Sequence, residues 1–297
     1  MPDFHDSVPI LVVTGPTATG KTRLAVALAR KFGGEIVSAD SRQVYRGMDI
    51  GSGKDLAEYG EIPYHLIDIA DPARETYHLG RFCRDAWEAI GEIADRGKVP
   101  VVCGGTALYL AALLDGYRLP GGALPPREFG TPRVRQNPDA PDSFTPPFAL
   151  KPLVLGVLYP RPTVRQRIEA RLDARLNGGM IEEVRRLHEE DGVSWRTLEA
   201  FGLEYREIAR FLRGECDFAA MRTTLLNRIR QFAKRQDIFF RKLEREGHRI
   251  YWLNEGKFPD PFRLAGAFLR GEAPPEPVFR LCDHRNPPSL PPKRPEA

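Results

Sequence analysis

The sequence contains few cysteines and no long apolar run. Its four cysteines, Cys83, Cys103, Cys216 and Cys282, form neither a CxxC pair nor a disulfide framework, and this pattern is typical of a reducing, cytoplasmic location. No apolar stretch approaches the roughly 20 residues that cross a membrane, and the first residues lack the basic and apolar segments of a signal peptide. We therefore expect no membrane partner. The net charge of +4 excludes no class of partner, and the distribution of charge is more informative.

One segment, Gly15-Pro16-Thr17-Ala18-Thr19-Gly20-Lys21-Thr22, matches the phosphate-loop pattern G-x-x-x-x-G-K-[ST]. It lies between an apolar run and an amphipathic run, which is the strand, loop and helix context that the pattern needs. We expect the loop amides and the helix N-terminus to surround a diphosphate. Lys21 would neutralise its outer phosphate, and the Thr22 hydroxyl would ligate Mg²⁺. The sequence thus predicts a diphosphate or triphosphate site without deciding between them.

The order of the apolar runs predicts an α/β fold, a P-loop NTPase-like parallel sheet flanked by helices, with a basic C-terminal helical region. After the phosphate-loop helix we expect strands at 36–40, 64–69, 99–103 and 153–158 and a helix at 77–96. We divide the chain into a first part of the core (1–118), a proline-rich stretch (119–152), a completion of the core with basic helices (153–254) and a proline-rich tail (255–297).

Proline is concentrated in two of these parts. Residues 119–152 contain nine prolines and no sustained periodicity, and residues 255–297 contain ten prolines. Such composition is typical of loops, linkers or disordered segments. We therefore expect both parts to be largely extended or disordered.

Polar residues follow the predicted strands at their carboxyl ends, the edge of a parallel sheet where ligands bind. Asp40, after the second strand, is equally compatible with binding Mg²⁺ through water or acting as a general base and with capping a helix. Thr106, after Gly104-Gly105, is predicted to cap the next helix. Lys54 is expected either to reach phosphate or to be solvated, and His65 to make a structural hydrogen bond.

The most basic segment is 222–245, where eight basic residues stand against two acidic ones. Apolar residues at helical spacing give one packing face and leave the other face strongly cationic. We therefore favour contact with a polyanion over a merely solvated face. Arg165 and Arg167 follow the fifth strand and are equally compatible with phosphate binding and with an exposed helix face.

Five segments together resemble the bacterial tRNA dimethylallyltransferases, also called isopentenyl-diphosphate:tRNA transferases. They are residues 15–22, 38–51, 64–68, 104–110 and Phe232-Ala233-Lys234-Arg235-Gln236, in order along the chain. The resemblance implies that the phosphate loop holds the diphosphate of dimethylallyl diphosphate with Mg²⁺. It also implies that the prenyl group moves to N6 of an adenosine beside the anticodon, so that the tRNA anticodon stem-loop is the partner.

The resemblance further assigns roles to single residues. Asp40 would be the general base for the adenine amine, Thr106 would lie near the diphosphate, and Arg206 would act as a clamping arginine. The residues that the resemblance implies in tRNA binding are Asp40, Ser41, Arg42, Gln43, Arg165, Gln166, Arg167, Lys234 and Arg235.

The chain departs from the family pattern at residues 119–152. Members of the family usually carry a helical insertion there that grips the anticodon stem, and this chain has only the proline-rich stretch. Two enzymes therefore stay open as alternatives, an adenylate isopentenyltransferase acting on free nucleotide and a P-loop kinase acting on a small molecule. A nucleotide-regulated RNA-binding protein without catalysis is a third. The sequence leaves the oligomeric state undetermined.

Overall fold

The computed structural model describes residues 7–115 and 147–284. Its strands are β1 (Val8–Thr14), β2 (Gly34–Ser38), β3 (Tyr64–His65), β4 (Val99–Cys103), β5 (Leu150–Leu158) and β6 (Ile250–Asn254). Within these residues they form one parallel sheet in the order β3-β2-β4-β1-β5-β6. The predicted α/β class with a parallel sheet is confirmed.

Helices cover both faces of the sheet. They are α1 (Lys21–Phe32), α2 (Leu79–Asp95), α3 (Ala107–Asp115), α4 (Arg161–Asn177), α5 (Met180–Glu189), α6 (Trp195–Phe201), α7 (Leu203–Leu212), α8 (Phe218–Arg245) and α9 (Pro261–Leu269). In the part of the chain that the structure describes, no helix is both long and apolar enough to cross a membrane. The basic segment 222–245 lies entirely within α8.

The core has two apolar layers because successive strand residues point to opposite faces. In β1, Ile10 and Val12 pack into the layer beneath α2, α3 and α8, whereas Leu11 and Val13 pack into the layer beneath α1 and α9. Central strands that are buried on both faces read as continuous apolar runs, which is why they could be found in the sequence.

The register of the sheet brings three loops together at its carboxyl edge. Val13 of β1 pairs with Cys103 of β4, and Ser38 of β2 pairs with the same residue. The ladder continues one step further, because Gly104 N donates to Val13 O and Ala39 N donates to Cys103 O. The loops that follow β1, β2 and β4 therefore begin side by side.

The third strand is shorter than predicted, covering Tyr64–His65 instead of 64–69. Leu66 and Asp68 have φ angles of 63° and 57°, which end the extended conformation. The Asp68 carboxylate accepts a hydrogen bond from Lys54. The strand thus ends at His65, although Leu66 and Ile67 are still buried in the core.

The prediction of an extended tail is wrong for residues 261–269, which form α9. Asp260 caps this helix, its carboxylate accepting from the backbone of Phe262 at 2.9 Å, and Leu264, Ala265 and Phe268 are buried. Prolines at 259 and 261 precede or open the helix, where proline is tolerated. Residues 285–297 of the tail and 119–146 of the proline-rich stretch lie outside the described residues, whereas 150–152 belong to β5.

Candidate active site

A cavity of about 960 Å³ opens at the carboxyl edge of the sheet. The phosphate loop forms its floor, the loops after β2 and β4 form one side, and α4 and α8 form another. The lining residues that the sequence singled out are Thr17, Ala18, Thr19, Gly20, Lys21, Thr22, Asp40, Ser41, Arg42, Gln43, Thr106, Arg167 and Arg235. The structure therefore brings most of the predicted site residues together, Gly15 and Pro16 standing directly before the lining part of the loop.

The shape of the phosphate loop depends on its glycines. Gly15 has a φ angle of 140°, and a Cβ there would lie 2.5 Å from the Val157 carbonyl oxygen of β5. Gly20 has a φ angle of 79° at the N-cap of α1, and no side chain caps that helix. The first amides of α1 are thus left for another acceptor, and a helix N-terminus favours an anion.

Lys21 and Arg171 supply positive charge at this loop. Lys21 Nζ donates to the Pro16 carbonyl at 2.8 Å, and Arg171 of α4 donates to the Thr17 hydroxyl. Desolvation lowers the pKa of Lys21 to about 8, and the nearby Arg171 contributes to the lowering. The pKa of Arg171 falls to about 10, mainly through desolvation and also through the charge of Arg175. The loop therefore faces partly buried positive charges at the wall of the cavity.

Gln236 of α8 engages the same loop. Its Oε1 accepts from the Thr17 amide at 2.8 Å, and its Nε2 donates to the Gly105 carbonyl at 2.9 Å. One loop amide that the sequence assigned to the diphosphate is therefore used by a side chain of the protein.

Asp40 borders the same cavity as the phosphate loop, and its charge acts on Lys21 of that loop. Its Oδ1 accepts from the Arg42 backbone amide at 2.9 Å, which closes a turn after β2 rather than capping a helix. Arg42 itself donates to the Phe201 carbonyl at 2.9 Å and lies 3.6 Å from the Glu204 carboxylate. Asp40 is thus held in orientation by its own loop while its side chain borders the cavity.

Thr106 joins the loops after β2 and β4. Its hydroxyl accepts from the Ser41 amide at 3.2 Å, rather than from the first turn of α3 as predicted. Because a hydroxyl that accepts one bond keeps its own proton to donate, Thr106 can still offer a hydrogen bond to a ligand. Gln43 reinforces the same region, accepting from Ser38 at 2.9 Å and donating to the Gly53 carbonyl at 3.0 Å.

The predicted clamping arginine lies elsewhere. Arg206 belongs to α7, its Nε donates to the Glu199 carbonyl at 2.9 Å, and it does not line the described cavity. Its predicted role stays a prediction. Arg165 and Gln166 are exposed on α4, whereas Arg167 stacks over the Tyr159 ring at 3.9 Å and borders the cavity.

Much of the basic segment is paired inside the protein, contrary to the expectation of a strongly cationic face. Arg222 binds Asp173 at 2.7 Å, and Arg230 binds Glu169 at 2.9 Å. The other engaged members of the segment are Arg228 with Glu207, Arg241 with the Leu281 carbonyl, and Lys242 with Glu246. Lys234 and Arg235 remain exposed beside the cavity. The sequence could not show this, since most of the partner carboxylates come from other helices.

Lys54 is neither solvated nor at the phosphate site. It is 1% exposed and donates to the Tyr45 carbonyl and to Asp49, both at 2.7 Å, and to Asp68. The structural hydrogen bond predicted for His65 is confirmed, with Glu35 at 2.8 Å. The Lys54 contacts hold the loop after β2, whereas the His65 contact joins β3 to β2. Lys54 and His65 do not line the cavity.

Glu183 of α5 holds the loop that follows β2 from beneath. Its buried carboxylate accepts the amides of Asp49, Ile50 and Gly51 at 2.8, 2.6 and 3.0 Å. The Tyr205 hydroxyl donates to it as well, at 3.0 Å. This loop then lines the cavity through Gly51, Ser52 and Gly53.

Sequence reasoning missed Arg171, Glu183 and the contacts of Gln236. For Arg171 a signal existed, because Arg167, Arg171 and Arg175 follow each other at four-residue spacing and so share one face of α4. Glu183 carried no signal, since a carboxylate on a helix is ordinarily solvated.

Two comparisons with families and curated relatives bear on this site. The family model described as IPP transferase matches residues 43–143 and 127–243, and that described as Isopentenyl transferase matches residues 8–61. The tRNA dimethylallyltransferase 1 of Geotalea daltonii is 46% identical over 284 residues, covering 84% of this chain and 92% of the relative. The tRNA dimethylallyltransferase of Treponema pallidum (strain Nichols) is 44% identical over 292 residues, covering 84% and 91%.

Solved structures agree with these relatives. The tRNA delta(2)-isopentenylpyrophosphate transferase from Staphylococcus epidermidis superimposes with a TM-score of 0.70 at 27% identity, over 89% of this chain and 99% of that one. The full-length tRNA isopentenylpyrophosphate transferase from Bacillus halodurans gives a TM-score of 0.69 at 27% identity, over 90% and 96%. The family predicted from the five segments is confirmed.

Proposed function

Because this chain belongs to the IPP transferase family, we propose that it is a tRNA dimethylallyltransferase. It would transfer the dimethylallyl group of dimethylallyl diphosphate to N6 of an adenosine beside the anticodon, in the cytoplasm. The names of the relatives from Geotalea daltonii and Treponema pallidum support the activity and the acceptor. The site supplies the chemistry as follows.

The observation that carries the proposal is the pair of cations at the phosphate loop. Lys21 and Arg171 both contact the phosphate loop and are partly buried, and the charge of Arg171 helps to lower the pKa of Lys21. Bringing like charges together in a poorly hydrated place is unfavourable unless an anion joins them. A diphosphate oxygen would relieve this field, while the free N-terminus of α1 adds partial positive charge. The loop therefore favours a phosphate-bearing ligand, and the family to which the chain belongs favours dimethylallyl diphosphate as that ligand.

Mg²⁺ fits the donor set without a cage of protein ligands. Within the described residues, no group of three or more histidine, cysteine, aspartate or glutamate side chains is arranged to hold a metal ion. Mg²⁺ commonly takes one or two protein oxygens and completes its shell with phosphate oxygens and water. Thr22 would provide a hydroxyl, with Asp40 reached through water. The ion would neutralise charge on the diphosphate.

Asp40 would serve as the general base. In the transfer, a bond forms between N6 and the allylic carbon, the bond from that carbon to the diphosphate oxygen breaks, and the N6 proton moves to the Asp40 carboxylate. An exocyclic amine conjugated to a ring is a weak nucleophile, so accepting its proton raises its reactivity. The hydrogen bond from Arg42 orients the carboxylate. Arg206 would act as the clamping arginine from α7, where its Nε donates to the Glu199 carbonyl of α6.

Stabilising the departing pyrophosphate is the larger task, because the allylic carbon develops positive charge as the bond breaks. Preorganised donors aimed at developing negative charge are usually the largest contribution to such catalysis. Lys21, Arg171 and the Thr106 hydroxyl are candidates for these donors. All three border the cavity.

The tRNA would approach from the side of α4 and α8. Arg167 and Arg235 border the cavity, and Lys234 is exposed nearby. Arg165 and Gln166 are exposed on α4 and would meet the phosphate backbone. The reacting base has to leave the anticodon-loop stack to enter the cavity. Residues 41–43 would line its path.

A free adenine nucleotide is the second candidate acceptor. The Geotalea daltonii alignment spans 284 positions but only 84% of this 297-residue chain. Since 84% of 297 is fewer than 284, the relative contains residues with no counterpart here. If these additional residues of the relative belong to the part that grips the tRNA stem, their absence here favours a free adenine nucleotide as the acceptor.

Labelled dimethylallyl diphosphate, offered with bulk tRNA or with AMP, tests the proposal. We expect label in tRNA, none in AMP, and loss of transfer in Lys21→Ala. Transfer to AMP alone would show that the acceptor is a free adenine nucleotide and not tRNA. Consumption of ATP with a small-molecule acceptor and no prenyl transfer would favour the kinase.

A further inference from the structure

Gln236 makes two hydrogen bonds that join loops of different function. It is 4% exposed, although its neighbours Lys234 and Arg235 on α8 are exposed. Oε1 accepts from the Thr17 amide in the phosphate loop, and Nε2 donates to the Gly105 carbonyl after β4. One side chain thus bridges the two loops, in addition to the hydrogen bonds of Gly104 with Val13 and Thr14 that join their starts.

The second loop leads directly to the acceptor side of the cavity. Gly105 precedes Thr106, and the Thr106 hydroxyl accepts from the Ser41 amide. Ser41 follows Asp40, the residue proposed as general base. Gln236 therefore connects the loop that would hold the diphosphate with the residues that would activate the amine.

The primary amide satisfies both contacts, because it carries an acceptor oxygen and a donor nitrogen. A carboxylate in this shape would accept from Thr17 but offer no hydrogen to the Gly105 carbonyl, and a thioether would leave both groups without a partner. Gly105 is matched to this contact, because a Cβ there would lie 2.6 Å from Gln236 Nε2. The pairing of a glutamine on α8 with a glycine after β4 is built for close approach.

We propose that Gln236 is a positioning residue for prenyl transfer, an inference that rests on the proposed function. It holds the diphosphate loop and the Thr106–Asp40 side at the separation that the reaction needs. Placing two reactants at the right distance and angle supplies much of a bimolecular rate enhancement, and a misplacement of about 1 Å can cost on the order of 100-fold. Substrate binding depends less on this separation, because Lys21 and Arg171 contact the loop independently.

The test compares Gln236→Met with Gln231→Met. Both positions lie on α8, but Gln231 is exposed and outside the cavity. We expect Gln236→Met to lower kcat by about 10- to 100-fold while the Kd for inorganic pyrophosphate stays within about threefold. Gln231→Met should match the wild type in both. A purely structural role would lower thermal stability and leave kcat per folded molecule unchanged.

Gly105→Ala provides an independent approach to the same contact. Its Cβ would displace the Gln236 amide, so it should lower kcat similarly, and the double variant with Gln236→Met should be no slower than the slower single variant. Such non-additivity marks a shared interaction. If Gln236→Met does not fold, an unchanged kcat in Gly105→Ala overturns the role.

The outcomes separate the two proposals. Prenyl transfer by the wild type, with equal kcat in Gln236→Met and Gln231→Met, would overturn the positioning role and leave the proposed function intact. Additive effects in the double variant would also overturn it. Absence of transfer to tRNA and to AMP by the wild type would overturn the proposed function and this role with it.

Discussion

Arg228 of α8 lies 2.8 Å from the Glu207 carboxylate of α7, a side chain that is only 3% exposed. An arginine in the most basic segment of the chain therefore neutralises a buried charge of the protein itself. Positive residues that look alike in the sequence thus divide into two groups, those that hold α8 to its neighbours and those that remain exposed for a ligand.

This division predicts that Arg228→Gln affects mainly the stability of the protein and that Lys234→Gln affects mainly tRNA binding. Arg228→Gln should lower the free energy of unfolding by about 1–3 kcal/mol, because the buried Glu207 carboxylate loses its close partner and keeps the longer contact of 3.8 Å with Arg210. Lys234→Gln should leave stability within about 0.5 kcal/mol but weaken tRNA binding. In Lys234→Gln, the slope of the logarithm of the tRNA binding constant against the logarithm of the salt concentration should fall in magnitude by roughly 0.7–0.9, the value for one phosphate contact. Denaturant unfolding and tRNA titrations at several salt concentrations measure both, and an equal salt slope in wild type and Lys234→Gln would leave that lysine merely solvated.

Asp40→Asn distinguishes the proposed role of Asp40 as general base from its role in closing the turn after β2. Asparagine keeps an Oδ1 that can accept from the Arg42 amide, so the loop after β2 should retain its shape. It cannot take the N6 proton, and we expect a loss of turnover on the order of 10²–10⁴-fold with pyrophosphate binding largely kept. Single-turnover assays with labelled donor measure the step, with titration of inorganic pyrophosphate as the control. Turnover close to that of the wild type would restrict Asp40 to closing its turn.

The lowered pKa of Lys21 predicts a pH dependence for diphosphate binding. In the protein without ligand, Lys21 has a pKa of about 8, mainly because of desolvation. A bound anion would raise the pKa of Lys21, because it favours the charged form. Binding then takes up a proton, so affinity falls as pH rises above about 8, by up to about tenfold per unit.

Lys21→Arg is the matched control, since a guanidinium stays charged over this range. Taking the ratio of wild-type to Lys21→Arg affinity removes the titration of the ligand itself. The ratio for inorganic pyrophosphate should be constant from about pH 6 to 7 and decline from about pH 8 to 10. Parallel profiles for the two proteins would show that Lys21 does not titrate in this step.

The central strands and the phosphate loop could be predicted because their signals are local. A strand buried on both faces is a continuous apolar run, and the loop needs glycines at fixed places, such as Gly15 beneath the Val157 carbonyl. Lys54 and Arg228 could not be placed, because their partners Asp68 and Glu207 come from distant parts of the chain or from other helices. The early end of the third strand could not be predicted either, because the left-handed backbone at Leu66 and Asp68 accompanies a contact of Asp68 with Lys54, fourteen residues earlier in the chain.

Glu183→Gln tests whether one buried carboxylate fixes the wall of the cavity. In the wild type, both carboxylate oxygens of Glu183 accept from backbone amides. The glutamine oxygen can still accept, but the NH2 group would replace the other oxygen and face a backbone donor. We expect the free energy of unfolding to fall by about 1–3 kcal/mol and hydrogen exchange to become faster at residues 49–51. Glu182→Gln, an exposed neighbour on α5, should change neither. Unchanged exchange in Glu183→Gln would mean that the loop holds its shape without this contact.

The proline-rich stretch gives a prediction about tRNA affinity. Gripping a tRNA stem needs several phosphate contacts, each contributing through counterion release. The stretch offers Arg127, Arg133 and Arg135, whereas Lys151 belongs to β5 and lies over the Phe268 ring. The Geotalea daltonii relative contains residues that this chain lacks. We therefore expect this chain to bind tRNA more weakly than that relative and with a shallower salt slope, while still modifying bound adenosine. Side-by-side titrations of both proteins against the same tRNA measure this difference.

Replacing Arg127, Arg133 and Arg135 together by glutamine then asks whether the stretch contributes at all. This keeps the length of the chain and spares Phe148, whose ring packs 5.1 Å from Trp87 in the core. If these arginines bind phosphates, the slope should fall by roughly 0.7–0.9 for each phosphate that the variant no longer neutralises, with pyrophosphate binding unaffected. An unchanged slope would assign the remaining affinity to α4 and the exposed residues of α8. Affinity equal to that of the relative would contradict the expectation that missing residues weaken the grip on tRNA.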